Sequence, residues 1–373
     1  MRVAFIARYL QMVNHRKVMA LAAQPGVELW HVAPRRWVDS FRSYQHELLE
    51  GRGYRLMLAD AFPLRGDIHR FVYWPPTLFL NVIQPDIIHV EEEPDSLVAL
   101  EVIVARRLWA PRARLVLFTW QNVRRARRTA VERLARWVLR RIDHAIAGNC
   151  EAVDVLRAQG YTGPVTVLPQ LGVDTKVFKP CNASALRREL GLEGFVIGFA
   201  GRFVPEKGLE TLTRAAAQAP GSRLLLIGRG PIQAEIESLA RQLGLSERLV
   251  VVGSVPHHDV PRYLNAMDVF ILPSQTTPSW KEQFGHVLIE AMACGVPVIG
   301  SSSGAIPEVI GDAGLVFPES DANALAACVR RLANDHGERS RLSQAGLQRV
   351  AERYTHEGIA EQTAQIYHAV LAR

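Results

Sequence analysis

Apolar residues recur along this chain in two rhythms. Short uninterrupted runs read as buried strands, and longer stretches with an apolar residue every three or four positions read as helices packed on them. The runs Arg2–Ala7, Val27–Val32, Ile87–Val90, Leu115–Thr119 and His144–Ala147 predict strands in the first half. Val196–Ala200, Arg223–Ile227, Leu249–Val252, Val269–Leu272 and Val298–Gly300 predict strands in the second, and Leu209–Ala219, Ile232–Leu243, Pro261–Ala266, Gly285–Ala293 and Asn323–Ala333 predict helices. Pro25, Pro85 and Pro111 stand just ahead of some of these runs, where a helix or loop must stop. Strand–helix alternation in both halves predicts an α/β chain of two Rossmann-like domains facing a central cleft, with ligands at the carboxyl ends of the strands. The segment Leu168–Pro180 has two prolines, a glycine and no clear period, and reads as the linker. The expected division is therefore an N-terminal domain over 1–170, a second domain over 171–354, and a C-terminal helix over 355–373. That helix shows one face of Ile359, Thr363, Ile366 and Val370, which needs a surface and is expected to find it on the first domain.

The composition leaves this reading intact. At 373 residues, with 48% hydrophobic and 22% charged side chains, the chain is neither disordered, collagenous nor coiled-coil. Cys150, Cys181, Cys294 and Cys328 form no CxxC pair and are too scattered for a disulfide framework, which suits a reducing compartment. The opening MRVAFIARYLQ is broken by Arg8 and reads as a first strand rather than a leader. The apolar stretches Leu97–Ala105 and His286–Gly300 are broken by Glu101 and Glu290, so neither is long enough to span a bilayer. The expectation is a soluble, cytoplasmic protein.

Candidate chemistry lies in the second half. Gly201-Arg202-Phe203-Val204-Pro205-Glu206-Lys207-Gly208 follows a predicted strand and precedes a helix, placing two cations on one loop at a strand's carboxyl end. A fork-shaped guanidinium and a point-charge ammonium suit a diphosphate, although two solvated surface charges would look the same. Gly228-Arg229-Gly230-Pro231 is half of a dinucleotide fingerprint, and a structural turn is its favoured reading over a phosphate contact. The stretch from Trp280 to Pro297 places Glu282 just ahead of a helix start at Gly285 and Glu290 two turns along it. A helix start is an anion site. A carboxylate in an otherwise apolar helix is costly to bury alone, so Glu290 is expected to face a polar hollow and accept from a diol such as a ribose. Salt bridges or a cap are the bland alternative for both glutamates.

With these residues in view, the chain resembles the large retaining glycosyltransferase family numbered four, of GT-B fold. The resemblance is carried by GRFVPEKG (201–208), GRGP (228–231), VVGSVPHHDVPRYLNAMDVFILPS (251–274), EQFGHVLIEAMACGVPVIGS (282–301) with its E-x7-E spacing, and LGVDTKVF (171–178). It implies that Arg202 and Lys207, on the loop opened by Gly201, grip the diphosphate of a nucleotide-sugar, together with backbone groups of Gly285, His286 and Val287. It also implies that Glu290 holds the ribose, that Glu282 with Phe284 and Gly285 contacts the sugar, and that the loop around Val255 holds the base. Such enzymes typically need no metal or other cofactor, and no D-x-D pair stands in a plausible loop here. The resemblance further implies retention of anomeric configuration and transfer to a glycan or lipid-linked acceptor in cell-surface polysaccharide or glycolipid synthesis. Two places depart from the family pattern. The segment after the first strand, Ala7–His15, has no glycine, and Thr119-Trp120-Gln121-Asn122 carries glutamine where many members carry histidine. The Glu91-Glu92-Glu93 loop is a candidate for approaching the acceptor, with an arginine partnership favoured for Glu92. An inactive nucleotide-sugar binder, or another GT-B enzyme such as an epimerase, remains as the alternative.

Charge is uneven. Residues 1–150 hold 23 basic and 14 acidic side chains, and 106–141 hold 12 arginines against Glu132 alone. The stretch Arg106–Arg141 is read as a patch for an anionic membrane surface, peripheral at the inner face, in preference to a solvated face or nucleic acid, for which no fold signature or aromatic platform is present.

Overall fold

The computed structural model describes residues 1–10, 12–38, 43–45, 53–63, 71–74, 78–124 and 129–373. The chain divides into two compact units, Met1–Gly172 with His356–Arg373, and Val173–Thr355.

In the first unit the strands are β1 (Arg2–Ile6), β2 (Glu28–Pro34), β3 (Arg36–Val38), β4 (Ser43–Gln45), β5 (Arg55–Pro63), β6 (Phe71–Trp74), β7 (Ile87–Glu91), β8 (Arg114–Thr119), β9 (His144–Ala147) and β10 (Val165–Val167). The helices are α1 (Met12–Ala22), α2 (Leu78–Ile83), α3 (Leu97–Trp109), α4 (Thr129–Leu139), α5 (Cys150–Ala158) and the C-terminal helix His356–Leu371. The main sheet runs β10-β9-β8-β7-β1-β2-β5-β6, parallel except for the last pair, and β3 and β4 form a separate hairpin. Its central strands are covered on both faces, which is why β1, β7 and β9 read as nearly unbroken apolar runs. One core lies under α2 to α5 and a second under α1 and the C-terminal helix. Ile359, Ile366 and Val370 of that helix are buried in the second core. Strands β3 to β6 and β10 were not predicted. They sit at the sheet edge or in a hairpin, where only one face is covered and the apolar run is too short to stand out.

The second unit contains β11 (Phe195–Ala200), β12 (Ser222–Ile227), β13 (Leu249–Val252), β14 (Val269–Leu272), β15 (Val298–Ser301) and β16 (Gly314–Phe317). Its helices are α6 (Ser184–Glu189), α7 (Leu209–Ala217), α8 (Gln233–Gln242), α9 (Val260–Leu264), α10 (His286–Ala293), α11 (Ile306–Ile310), α12 (Ala322–Asn334) and α13 (His336–Arg353). The all-parallel sheet is ordered β13-β12-β11-β14-β15-β16. Counted from its first strand this is 3-2-1-4-5-6, the Rossmann order, and the order reverses between β11 and β14. The chains leaving those two strands at their carboxyl ends therefore lead to opposite faces of the sheet, the place where this fold forms a ligand crevice.

The period-free segment read as a linker is well packed. Leu168 and Phe178 are buried, Gln170 donates to Glu91 at 2.8 Å in the first unit, and the Val173 N–H donates to the Tyr354 carbonyl at 2.8 Å in the second. Lack of period here reflects a chain held by individual contacts rather than by a helix or strand face.

Candidate functional site

The crevice of the second unit collects most of the residues singled out by sequence. After β11 the chain turns through Gly201 and Arg202 into a short 3-10 turn, Pro205–Lys207. After β14 it runs from Pro273 to Gly285 and enters α10, whose N-cap is Gly285 at φ 82°. The two loops are joined by the Gln275 N–H donating to the Glu206 carbonyl at 2.8 Å. Lys207 Nζ lies 2.5 Å from Glu282 Oε2, and Ser274 Oγ donates to the same oxygen at 2.7 Å. Glu282 is only 7% exposed, so these partners stand in for the water its carboxylate has lost. The Lys207 ammonium also stands 5.0 Å from the centre of the Trp280 ring. Arg202, one loop turn earlier, is exposed to solvent and points no ion pair at any described carboxylate.

Glu290 lies on α10 beyond the helix start. Its Oε1 takes His257 Nε2 at 2.9 Å, and the His257 ring packs on Phe178 with centroids 5.1 Å apart. His257 follows Val255 and Pro256 in the loop leaving β13. The hydrogen bond to Glu290 raises the His257 pKa above its ordinary value. His286 opens α10 and feels both acids. Burial, the larger influence, lowers its pKa, while the nearby Glu290 and Glu282 charges pull the other way. The two glutamates of the E-x7-E spacing thus stand four positions to either side of His286 in the chain, at a helix start. Backbone N–H groups in the first turn of α10 have no carbonyl four residues back, so they point out of the helix end as donors.

One sequence reading changes in detail, and the structural reading of GRGP gains its physical basis. Phe284 is buried, its ring against His286 and Tyr354, so this side chain is part of the core beneath the site and only its backbone can meet a ligand. In GRGP, a Cβ at Gly228 would lie 1.9 Å from the Gly201 carbonyl oxygen and one at Gly230 would lie 2.1 Å from that of Phe203. The Phe203 N–H also donates to the Arg229 carbonyl at 2.9 Å. These glycines let two backbones touch, so the motif shapes the Arg202 loop from beneath. Sequence reasoning missed His257 and Ser274 as partners of the two glutamates, because neither stands at a telling spacing.

At the first unit's strand ends the acids are already engaged. Glu91 is buried with Lys17 and Tyr9 as partners and Gln170 as a donor. Glu92 pairs with Arg8 at 2.6 Å, and burial pushes its pKa up to about 7. Glu93 accepts from the Trp120 N–H at 3.0 Å and from Thr119. Gln121 Nε2 donates to the Val123 carbonyl at 3.2 Å. Glu91 is thereby a core residue and not one that approaches an acceptor.

The arginine-rich stretch divides as well. Arg106 and Arg114 pair with Asp143, each at 3.1 Å, and Val138 and Leu139 of α4 are buried in the core. Arg107, Arg112, Arg133, Arg136, Arg140 and Arg141 are exposed, and Leu108 is 63% exposed among them. Arg125, Arg127 and Arg128 lie outside the described residues, as does Gln11 in the Ala7–His15 segment. No helix among the described residues is long and apolar enough to cross a membrane. Among the described residues, no three His, Cys, Asp or Glu side chains come together as a metal site requires.

Residues 184–349 match the family model described as glycosyl transferases group 1. The D-inositol 3-phosphate glycosyltransferase of Stackebrandtia nassauensis is 33% identical over 239 residues, covering 59% of this chain and 52% of its own. The GDP-mannose-dependent monoacylated alpha-(1-6)-phosphatidylinositol monomannoside mannosyltransferase of Corynebacterium glutamicum is 33% identical over 52% of this chain and 54% of its own. The chain therefore spans about half the length of the curated relatives it matches. The crystal structure of Anabaena Alr3699/HepE in complex with UDP superposes with a TM-score of 0.79 at 20% identity, covering 99% of this chain and 100% of that one. At that identity the likeness is one of fold, and it extends over both Rossmann-like units, the pair that makes up a GT-B chain. The crevice with Lys207, Glu282 and Glu290 falls inside the residues that match the glycosyl transferases group 1 model.

Proposed function

We propose that the protein is a glycosyltransferase that moves a sugar from a UDP- or GDP-sugar to a glycan or lipid-linked acceptor. The observation that carries this reading is the Lys207–Glu282–Ser274 cluster, which stands beside a helix start in the crevice where the strand order of the second unit reverses. Lys207 and Arg202 supply two positive charges to a diphosphate, and the first N–H groups of α10, at Gly285, His286 and Val287, supply directed donors. Glu290, steadied by His257, accepts from the ribose diol, and the backbone around Val255 lines the place for the base. Glu282 sits where the sugar leaves the diphosphate. The relatives above act on inositol phosphate and phosphatidylinositol monomannoside according to their names, which supports an acceptor of polyol or glycolipid kind for this chain.

In the proposed reaction the bond from the anomeric carbon to the diphosphate oxygen breaks first, and the electron pair leaves with the diphosphate. The acceptor hydroxyl then attacks the same face of the oxocarbenium-like sugar, and its proton passes to the departing phosphate oxygen. Configuration is retained, and the protein contributes position and charge without a covalent nucleophile. Two cations and a dipole end neutralise the leaving group, so the reaction is proposed to run without a metal.

The test is direct. The intact chain is mixed with UDP-glucose, GDP-mannose and ADP-glucose, and binding is followed as a rise in melting temperature. One of them should stabilise the protein, and a bound donor should release its nucleoside diphosphate in the presence of EDTA. Lys207→Ala and Glu282→Ala should each lower that turnover by about a hundredfold or more. Binding without turnover in any condition would make the chain a nucleotide-sugar binder, and binding of none would end the reading.

A further inference from the structure

The Glu282 loop is held from a third side. Glu319, in the turn that leaves β16, accepts from Thr276 through both carboxylate oxygens, one from the backbone N–H and the other from Oγ1 at 2.7 Å. Glu319 is itself anchored, because its N–H donates to Ser302 Oγ at 3.1 Å. Thr276 Oγ1 is also 3.1 Å from Ser303 Oγ. The same 301–305 loop holds the far end of the segment. The Ala305 N–H donates to the Glu282 carbonyl at 3.0 Å, and Ser301 Oγ donates to the Ser274 carbonyl. A Cβ on Gly304, at φ 52°, would stand 2.1 Å from the Glu282 carbonyl oxygen, so the two loops touch backbone to backbone. Next to Glu319, Ser320 has φ 63°, one of two non-glycine positions with positive φ among the described residues. An L-residue adopts that conformation at a cost, and here it turns the chain so that Glu319 meets Thr276.

We propose that Glu319 is a positioning residue, clasping the segment 273–284 so that Glu282 meets the donor sugar. It does not touch the donor. It acts on Glu282 through Thr276 and the backbone between them, while Lys207 and Ser274 hold the carboxylate itself. Both clasp partners lie at the carboxyl ends of β14 and β16, which the fold brings together although 43 positions separate them. The proposal rests on Glu282 being a sugar contact. It distinguishes sugar from nucleotide, because the diphosphate and ribose are assigned to Arg202, Lys207, α10 and Glu290, outside the clasped segment.

The experiment uses the full chain, with Glu319→Ala, Glu319→Gln and Thr276→Val. Hydrogen–deuterium exchange reads the amides of 273–284. Calorimetry reads affinity for UDP against UDP-glucose and for GDP against GDP-mannose, and donor turnover is read as nucleoside diphosphate release. Glu319→Ala should speed exchange in the loop and lower sugar-dependent turnover by about tenfold to a hundredfold, with affinity for the free nucleoside diphosphate unchanged. Glu319→Gln retains one acceptor oxygen and should fall between that variant and wild type. Thr276→Val retains the backbone bond and should do likewise. Unchanged exchange in the loop overturns the clasp, and so does an equal loss for nucleotide and nucleotide-sugar, which is what general destabilisation would produce. If wild type binds neither donor pair, the donor reading fails and the proposal with it. If wild type binds and Glu319→Ala behaves like it, the proposal alone fails.

Discussion

Glu101 shows how one buried acid can tax a fold. It sits in α3 with Oε2 accepting the Tyr73 N–H at 2.9 Å and Oε1 without a hydrogen-bond partner, and burial pushes its pKa up to about 7. The unfolded chain ionises this group near its ordinary value of about 4.3, and the folded chain resists until the higher pH. Its contribution is therefore intact below the unfolded pKa and is lost as pH rises through the folded one, between about 4.3 and 7. Glu101→Gln keeps an acceptor for Tyr73 and removes the charge. At pH 8 that variant should be more stable than wild type by about 1–3 kcal/mol, and at pH 4 the two should converge. Melting temperatures measured across that range decide it, and parallel curves would show that the carboxylate is paid for elsewhere. From sequence alone Glu101 is only a charge interrupting an apolar run. The same holds for Glu91 and Lys17, whose pairing in the core depends on a helix and a strand meeting, 74 positions apart.

At the scale of elements, the C-terminal helix is the clearest case. Its apolar face is legible as Ile359, Thr363, Ile366 and Val370, but the polar tie that specifies its seat is not. Tyr367 is fully buried, and its hydroxyl lies 2.6 Å from His89 Nδ1 on β7. Burial first, then the charges of Lys17 and His144, hold the His89 pKa well below its ordinary value. Among the described residues His89 Nε2 has no hydrogen-bond partner, and Glu91 Oε1 stands 4.0 Å from it. A histidine kept neutral by folding supports the fold above its unfolded pKa of about 6.5, and that support is lost as pH falls below it. The protection factors of the 356–371 amides, corrected for intrinsic exchange at each pH, should accordingly fall between pH 7 and pH 5. Tyr367→Phe should cost about 1 kcal/mol and Tyr367→Ala about 3–5 kcal/mol, the second releasing the helix. Protection factors that ignore pH would show that His89 does not set the docking. Strands differ in legibility for a related reason. Those buried on both faces, such as β1 and β9, are plain in the sequence, whereas β5, β6 and β16 lie toward sheet edges and blend into their surroundings.

For the whole molecule, charge is the property that sums over both units, and it is concentrated in the first. Arg107, Arg112, Arg140 and Arg141 are exposed, as is Leu108, and we propose that they meet anionic lipid, a contact worth about 1 kcal/mol per arginine near the surface. Vesicles rich in phosphatidylglycerol should bind the protein at low salt and release it at high salt. Replacing those four arginines with glutamine should abolish binding while leaving nucleotide-sugar affinity intact. Binding that survives the replacement would place the contact on another surface. The α/β class, the succession of strands and helices, and the short motifs with their cations and twin acids were legible in the chain alone, because these depend on local periodicity and on residue types close in the chain. It took the folded chain to show that Lys207 pairs with Glu282, that His257 steadies Glu290, that Phe284 lies in the core, and that the glycines of GRGP serve backbone contact. Each of these is a meeting of loops from strands that are neighbours in the sheet or share its carboxyl edge. Strand order is set by how the apolar faces pack across the whole unit, and no window of the sequence contains it.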